Sequence, residues 1–218
     1  MTARLPLFPL GTVLYPGLLL PLHVFEERYR RLVRDLLAAP EGRRRFGVVA
    51  IREGREVGSD GVRALYDVGC VAELREVEAY DDGRFDIITT GEQRFRLAAA
   101  PDDSHGYLQA DVDLLDDPAG EYADVLAGEV TELFRAYRVA VTGRDEPDDL
   151  PDHPGPLSYL VAAATVLDRA DKQHLLECPD TAGRLRAEAR MLRRETAVLR
   201  RLPSVPAVEL TGEGVSPN

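Results

Sequence analysis

The sequence predicts an α+β protein, with strands and one early helix in its first half and helices in its second half. Two patterns predict this division. Up to residue 115, short runs rich in Val, Ile, Phe and Tyr alternate with clusters of Gly, Asp and Pro, which is typical of strands and turns. Beyond the segment DDPAGE, residues 116–121, apolar residues recur with the helical period.

The first element is an apolar run, Leu5 to Tyr29, that is interrupted by four prolines. Proline fixes φ and lacks an N–H, so this run is predicted to form short extended pieces rather than one helix. Tyr15-Pro16-Gly17-Leu18 suits a type II turn, because Pro and Gly occupy its two central positions. From Phe25 to Leu37 an apolar stripe at helical spacing predicts the early helix.

Five strand-like runs follow: FGVVAI (46–51), ALYDVGCVAELREVEAY (64–80), RFDIITTG (84–91), QRFRLAAA (93–100) and YLQADVDLL (107–115). Asp82-Gly83 predicts a hairpin with a primed turn, since glycine accepts positive φ. Gly91 predicts a turn or bulge between two short strands.

Four helices are predicted in the second half. An amphipathic helix covers residues 122–141, and an almost wholly apolar helix, 157–167, should be buried at the centre of a small bundle. A short helix at 171–177 ends before Pro179, and the last helix begins with Asp180 or Thr181 as its N-cap. The residues from Ser204 onward have little apolar surface and are predicted to form a mobile tail.

The composition limits the classes of function. The net charge is −11, which argues against nucleic acid as a partner, because affinity for phosphates rests on Lys and Arg. The two cysteines, Cys70 and Cys178, belong to no pattern of zinc spacing, so we expect reduced thiols and no metal or cofactor. The apolar start is too short and too broken to be a signal peptide or a membrane span, which predicts a cytoplasmic protein without a membrane partner.

The motifs LPLFPL, VLYPG and LPLHVFEERYR at the start of the chain resemble the LON domain, the N-terminal substrate-binding domain of Lon proteases. The resemblance continues through VGCVAEL and DGRFDIITTGEQRFRL to the final helix and covers the chain to about residue 202. It implies a PUA-like topology, in which a twisted antiparallel β-domain curls toward a barrel and precedes the helical bundle. The domain boundaries that we expect are 1–118 for the LON β-domain, 119–202 for the bundle and 203–218 for the tail.

The sequence contains no G-x-x-x-x-G-K-[ST] phosphate loop. Its one lysine, Lys172, would have to serve any Ser–Lys dyad, and Ser158 is the serine in a predicted helix near it. A helix-start serine and a solvated lysine explain these two residues without catalysis. We therefore expect a stand-alone LON domain that is not an enzyme.

By this resemblance, the chain binds exposed apolar segments of unfolded or tagged proteins, and a separate ATP-dependent protease is a candidate partner. The substrate-binding candidates are Tyr15, Leu18 and Leu19 at the YPG corner and Tyr80 and Phe85 beside the hairpin; core packing is the alternative for each. Residues of the family motifs with an expected structural role are Pro16, Gly17, His23, Phe25, Tyr29, Gly91, Arg94 and Phe95.

Two other functions remain open at this level. The last helix carries seven arginines and two glutamates, and this basic face on an acidic protein is a candidate site for RNA; arginines paired with acidic neighbours are the alternative. A hydrolase is the other function, although the sequence offers no convincing nucleophile and base.

Overall fold

The computed structural model describes residues 2–54, 62–103, 105–144 and 149–201, and of Val62 and Arg63 it describes the backbone only. Within these ranges the chain forms seven strands and five α-helices. The strands are β1 (Thr2–Leu10), β2 (Leu19–Val24), β3 (Arg45–Gly54), β4 (Val62–Leu65), β5 (Val68–Ala79), β6 (Phe85–Leu97) and β7 (Gln109–Leu114). The helices are α1 (Glu27–Ala38), α2 (Ala123–Thr142), α3 (Pro154–Ala164), α4 (Arg169–Glu177) and α5 (Thr181–Arg201).

The strands form one curled sheet in the order β1-β7-β6-β5-β3-β4. Because β1 also pairs with β3, five strands close into a ring, while β2 joins β6 outside it and β4 extends β3. The sheet is therefore curled as predicted but is not a clean barrel. The β1–β3 pair is parallel and the other strand pairs are antiparallel.

One of the two predicted turns is present as expected and the other differs. Tyr15 to Leu18 forms the expected type II turn, with Gly17 at φ 79° and a hydrogen bond from Leu18 N to Tyr15 O of 3.3 Å. The prediction of a primed turn at Asp82-Gly83 is wrong, because of these two residues only Gly83 has positive φ. Gly83 N instead donates to Tyr80 O over 2.8 Å. The hairpin therefore has a longer loop, from Tyr80 to Arg84.

Gly91 does not separate two strands, because β6 runs unbroken through it. The predicted bulge is nevertheless present: Cys70 pairs with Arg94 and Ala72 with Gly91, so β6 has one more residue than β5 at this point. The bulge lies beside the YPG corner, where Gly17 N donates to Gly91 O over 2.8 Å and Gly91 N donates to Leu18 O over 2.9 Å.

Three apolar clusters position the parts of the molecule. Helix α1 packs on the curled sheet, with Tyr29 stacked on Phe8 at 4.0 Å between ring centroids. A second cluster lies between the sheet and the bundle and contains Tyr15 from the YPG corner and Tyr159 from α3. A third joins α2, α3 and α5 within the bundle. The four helices predicted for the second half are confirmed.

Buried charges also join the two halves. The guanidinium of Arg94, on β6, donates to the carbonyls of Leu176 and Asp116, each over 2.9 Å, and lies 3.1 Å from an Asp117 carboxylate oxygen. Arg184, on α5, lies 3.1 Å from the second oxygen of Asp117 and donates to Ser158 Oγ over 2.8 Å. Asp117 therefore neutralises part of the charge of two arginines that are almost fully buried.

The predicted tail, 203–218, lies outside the described residues. In the part of the chain that is described, no helix combines the length and the apolar character needed to cross a membrane.

Candidate functional site

Strand β2 exposes one face of the sheet near the YPG corner. Its residues alternate: Leu20 and Leu22 pack toward the core, whereas Leu19, Pro21 and His23 are exposed. Opposite these exposed residues on β6 are Thr90, Ile88 and Asp86. We call the exposed residues Leu19, Pro21, His23, Phe25 and Tyr80 the β2 face.

Three rings meet at the end of the β2 face. The His23 ring lies 6.1 Å from the Phe25 ring and 6.4 Å from the Tyr80 ring, measured between centroids. Phe25 is 49% exposed and Tyr80 is 37% exposed, while Leu19 at the other end of β2 is 68% exposed. The exposed apolar side chains therefore follow β2 and the residues at its end, and they are not isolated positions on the surface.

Polar contacts hold the His23 and Tyr80 rings in place. Asp86 accepts a hydrogen bond from the Tyr80 hydroxyl over 2.6 Å and lies 2.5 Å from His23 Nδ1. The hydrogen bond from Tyr80, followed by that from His23, lowers the pKa of Asp86, so the carboxylate stays ionised near neutrality. Arg84 stacks over the Tyr80 ring at 5.7 Å. These contacts fix the edges of the two rings without burying them.

Helix α1 fixes the hairpin beside this face. Arg30 donates from Nε to Gly83 O over 2.6 Å and from Nη2 to Asp82 O over 2.9 Å. A side chain at position 83 would collide with that guanidinium, because a Cβ there would lie 2.0 Å from Arg30 Nη2. The hairpin tip is thus held in one position by α1.

Two of the five candidate binding residues are core residues, which agrees with the core-packing alternative stated for them. Tyr15 is 1% exposed, and its hydroxyl donates to the Lys172 carbonyl over 2.9 Å. Phe85 begins β6 on its inward side and packs in the core under α1. Leu18 is partly buried against the cluster that joins the two halves. Leu19 and Tyr80 are the two predicted residues that lie on the β2 face.

The motif residues divide between packing and exposure. Tyr29 and Phe95 are buried in the core, and Arg94 is buried in the charged network described above. Pro16 and Gly17 form the YPG turn, against which Gly91 packs. His23 and Phe25 are exposed, so these two lie on the candidate site itself.

The last helix does not present the continuous basic face that its composition suggests. Arg184 is fully buried and lies 3.8 Å over the Tyr159 ring. Arg193 pairs with Glu129, and Arg194 pairs with Asp171 over 2.6 Å. Acidic neighbours on α2 and α4 therefore neutralise part of this face.

The residues considered for a protease dyad have other partners. Ser158 Oγ donates to the Gly155 carbonyl over 2.7 Å, and Lys172 Nζ donates to the Ala163 carbonyl over 3.3 Å. Both cysteines are buried free thiols, and burial raises the pKa of Cys70 and Cys178. Among the described residues, no three His, Cys, Asp or Glu side chains are grouped so that they could hold a metal ion.

Sequence reasoning missed Pro21 as part of the exposed face. The alternation in LLPLHV could have indicated it, because residues 19, 21 and 23 must share one side of a strand. No comparable signal marks Asp117 as the partner of Arg94 and Arg184, since those three residues are far apart in sequence.

Residues 4–194 match the protein family described as the ATP-dependent protease La (LON) substrate-binding domain. The chain belongs to this family. The LON substrate-binding domain accounts for both halves of the fold, because the match extends from β1 into α5.

Relatives of this LON domain are much longer proteins. Lon protease 2 of Myxococcus xanthus is 30% identical over 207 residues, which is 90% of this chain and 24% of that protein. Lon protease of Escherichia coli strain K12 is 29% identical over 204 residues, or 90% of this chain and 25% of that protein. The chain therefore spans about a quarter of the length of these relatives.

Solved structures show the same fold. The Lon N-terminal domain protein from Xanthomonas campestris superposes with a TM-score of 0.60 at 24% identity, covering 84% of this chain and 95% of the other. The N-terminal domain of Mycobacterium avium complex Lon protease gives a TM-score of 0.63 at 21% identity, covering 89% and 98% of the two chains.

Proposed function

We propose that this LON domain is a non-catalytic binding module that holds exposed apolar segments of unfolded or tagged polypeptides on the β2 face. The observation that carries the proposal is the row from Leu19 to the rings of Phe25 and Tyr80, which stays exposed. Family membership supports the proposal, because the family is described as substrate-binding.

The mode of contact follows from the strand itself. Among the described strands, β2 pairs with β6 alone, so its second edge has no strand partner. Pro21 lies in the middle of β2 and has no N–H to donate, which makes strand addition by a peptide unfavourable. We therefore propose recognition through side chains, with an apolar segment covering Leu19, Pro21 and the aromatic end of the face.

A second part of the proposal concerns the protein that receives the bound polypeptide. The relatives are named as proteases. We propose a separate ATP-dependent protease that receives the bound polypeptide as the partner, with this domain as its adaptor. An RNA-binding role is less well supported, because Arg184 of α5 is buried and Arg193 and Arg194 are paired with acidic side chains.

The test compares variants of the β2 face with variants of equally exposed residues elsewhere. Leu19→Ser and Phe25→Ser should each weaken retention of reduced and alkylated α-lactalbumin by roughly five-fold or more, because a well-packed contact residue contributes about 1–3 kcal/mol. Val166→Ser and Val198→Ser are the matched controls, since these valines are 75% and 49% exposed outside the face. The controls should bind as the unmodified protein does.

Salt provides a second readout of the same experiment. Retention should change little between low and high salt, because apolar burial is not screened as exposed charges are. Equal losses in the face variants and the controls, with folding intact by circular dichroism, would overturn the proposed site. Binding to RNA that falls steeply with salt, without binding to the unfolded protein, would favour the alternative function.

A further inference from the structure

A groove at the junction of the two halves lies apart from the β2 face. Its main cavity, about 500 Å³, is lined by the YPG corner, by residues 117–124 and by the start of α3. A second cavity of about 270 Å³ continues between α2 and residues 150–152. Asp124 lines both cavities, so they are neighbours on either side of this residue, and together we call them the junction groove.

Tyr122 stands at the mouth of the junction groove. It is 72% exposed, and Val125 on the first turn of α2 is 71% exposed. Among the described residues, Tyr122 is the one non-glycine residue with positive φ, at 63°. Two hydrogen bonds fix the linker just before it: Thr181 N donates to Pro118 O over 3.0 Å and Ala182 N donates to Ala119 O over 2.9 Å. The ring is therefore held at the mouth instead of packing inside.

Acidic side chains border the groove, with Asp124 in both cavities and Asp152 in the second. Helix α2 also begins at the main cavity, and the carboxylate of Asp124 in its first turn offsets the partial positive charge of that helix end. Helix α3 begins beside the groove with Pro154 and Pro156, neither of which has an N–H, so this helix start is a poor anion site. Arg135, at the far end of the second cavity, is paired with Glu132 over 2.9 Å.

We propose that the junction groove binds an extended polypeptide segment in which a bulky apolar side chain is flanked by Lys or Arg. The apolar side chain fills the main cavity between Tyr122 and Tyr159, and the cation lies near Asp124 and Asp152, beside the exposed Tyr122 ring. The line of two cavities fits an extended chain, and the acidic border selects the positive charge. This site is independent of the β2 face and does not rest on the function proposed for it.

The experiment uses the full chain and two fluorescein-labelled peptides, one with Leu-Phe between pairs of lysines and one with glutamates in place of the lysines. Fluorescence anisotropy should show the lysine peptide binding at least about five-fold more tightly, and this preference should shrink at high salt. Tyr122→Gly should weaken its binding by at least about five-fold, and Asp124→Asn should reduce its salt dependence.

Tyr122→Gly is a sharp test, because glycine accepts the positive φ at this position without strain and the fold is kept. Val198→Ser, outside both sites, should leave binding of the lysine peptide unchanged. Equal binding of the two peptides, unchanged binding by Tyr122→Gly, or a greater loss in Phe25→Ser than in Tyr122→Gly would each overturn the proposal. The last result would place the peptide on the β2 face, so failure of this site is distinguished from failure of the other.

Discussion

At the scale of single residues, the junction between the two halves depends on buried charged groups. Glu188 on α5 is 2% exposed, and neither of its carboxylate oxygens has a hydrogen-bond partner among the described residues. Burial raises its pKa well above the ordinary value, against the opposing attraction of Arg184 one turn earlier. Tyr15 and Cys178, which also lie near Glu188, have raised pKa values and stay neutral near neutrality.

Glu188 therefore predicts a pH dependence of stability. In the unfolded chain its pKa returns to about 4.3, so between that pH and the raised pKa the folded state binds more protons than the unfolded state. Its contribution is fully present below the unfolded pKa, and it is lost as the pH rises through the folded pKa. The free energy of unfolding, measured in urea, should fall with rising pH across this window.

Glu188→Gln isolates this effect, because the amide keeps the shape and cannot lose a proton. Its unfolding free energy should decline less with pH than that of the unmodified protein. Glu132→Gln is the control, since the Glu132 side chain is 75% exposed, and it should keep the original slope. The same slope in Glu188→Gln and the unmodified protein would show that Glu188 is ionised in the folded state.

The residues on the candidate site were only partly predictable. Leu19, Tyr80, Tyr15 and Phe85 were candidates on the same ground, yet Leu19 and Tyr80 are exposed whereas Tyr15 and Phe85 are buried. The direction of the Phe85 side chain depends on the phase of β6, and Tyr15 is buried by contacts with α3 and α4; one sequence defines neither. The same reason explains why Arg184 could not be distinguished from the exposed arginines of α5.

At the scale of elements, the YPG corner and β6 fit together through a glycine. A Cβ at Gly91 would lie 2.2 Å from the carbonyl oxygen of Tyr15 and 3.2 Å from Cys70 Sγ. These are backbone and buried atoms that cannot move aside easily. The corner must therefore move away if position 91 carries a side chain, and Tyr15 would leave its site between the two halves.

Gly91→Ala should lower the unfolding free energy by about 1–3 kcal/mol, the usual cost of overpacking. Gly128→Ala is the matched control, because nothing lies within 4 Å of its Cβ position in α2. It should stabilise the protein by about 0.5–1 kcal/mol, since alanine favours helix over glycine. Urea unfolding of the two variants therefore tests for shifts of opposite sign; similar shifts would contradict the packing described here.

Helices were predicted more accurately than turns and strand pairs. The apolar periods located α1, α2 and α5 to within a few residues, and α3 is shifted by three residues, since it starts at Pro154 instead of the predicted Leu157. Proline is suited to the first helical turn, so its presence did not exclude the helix. The parallel β1–β3 pair joins segments that are far apart in sequence, and local pattern contains no information about it.

At the scale of the whole molecule, the curled sheet and the bundle act as a scaffold with two outward surfaces. Arg94, Asp117 and Arg184 connect the halves, while the β2 face and the junction groove lie at different places on the surface. The family resemblance predicted the overall fold, but the groove arises from segments that only the folded chain brings together.

The most direct measurement is hydroxyl-radical footprinting of the full chain, with and without reduced and alkylated α-lactalbumin, because it reports the exposure of individual side chains. Labelling of Leu19, Phe25 and Tyr80 should fall when the unfolded protein is bound, whereas labelling of Val166 and Val198 should stay the same. Unchanged labelling of the first three residues under conditions where binding occurs would contradict the proposal that the β2 face holds the polypeptide.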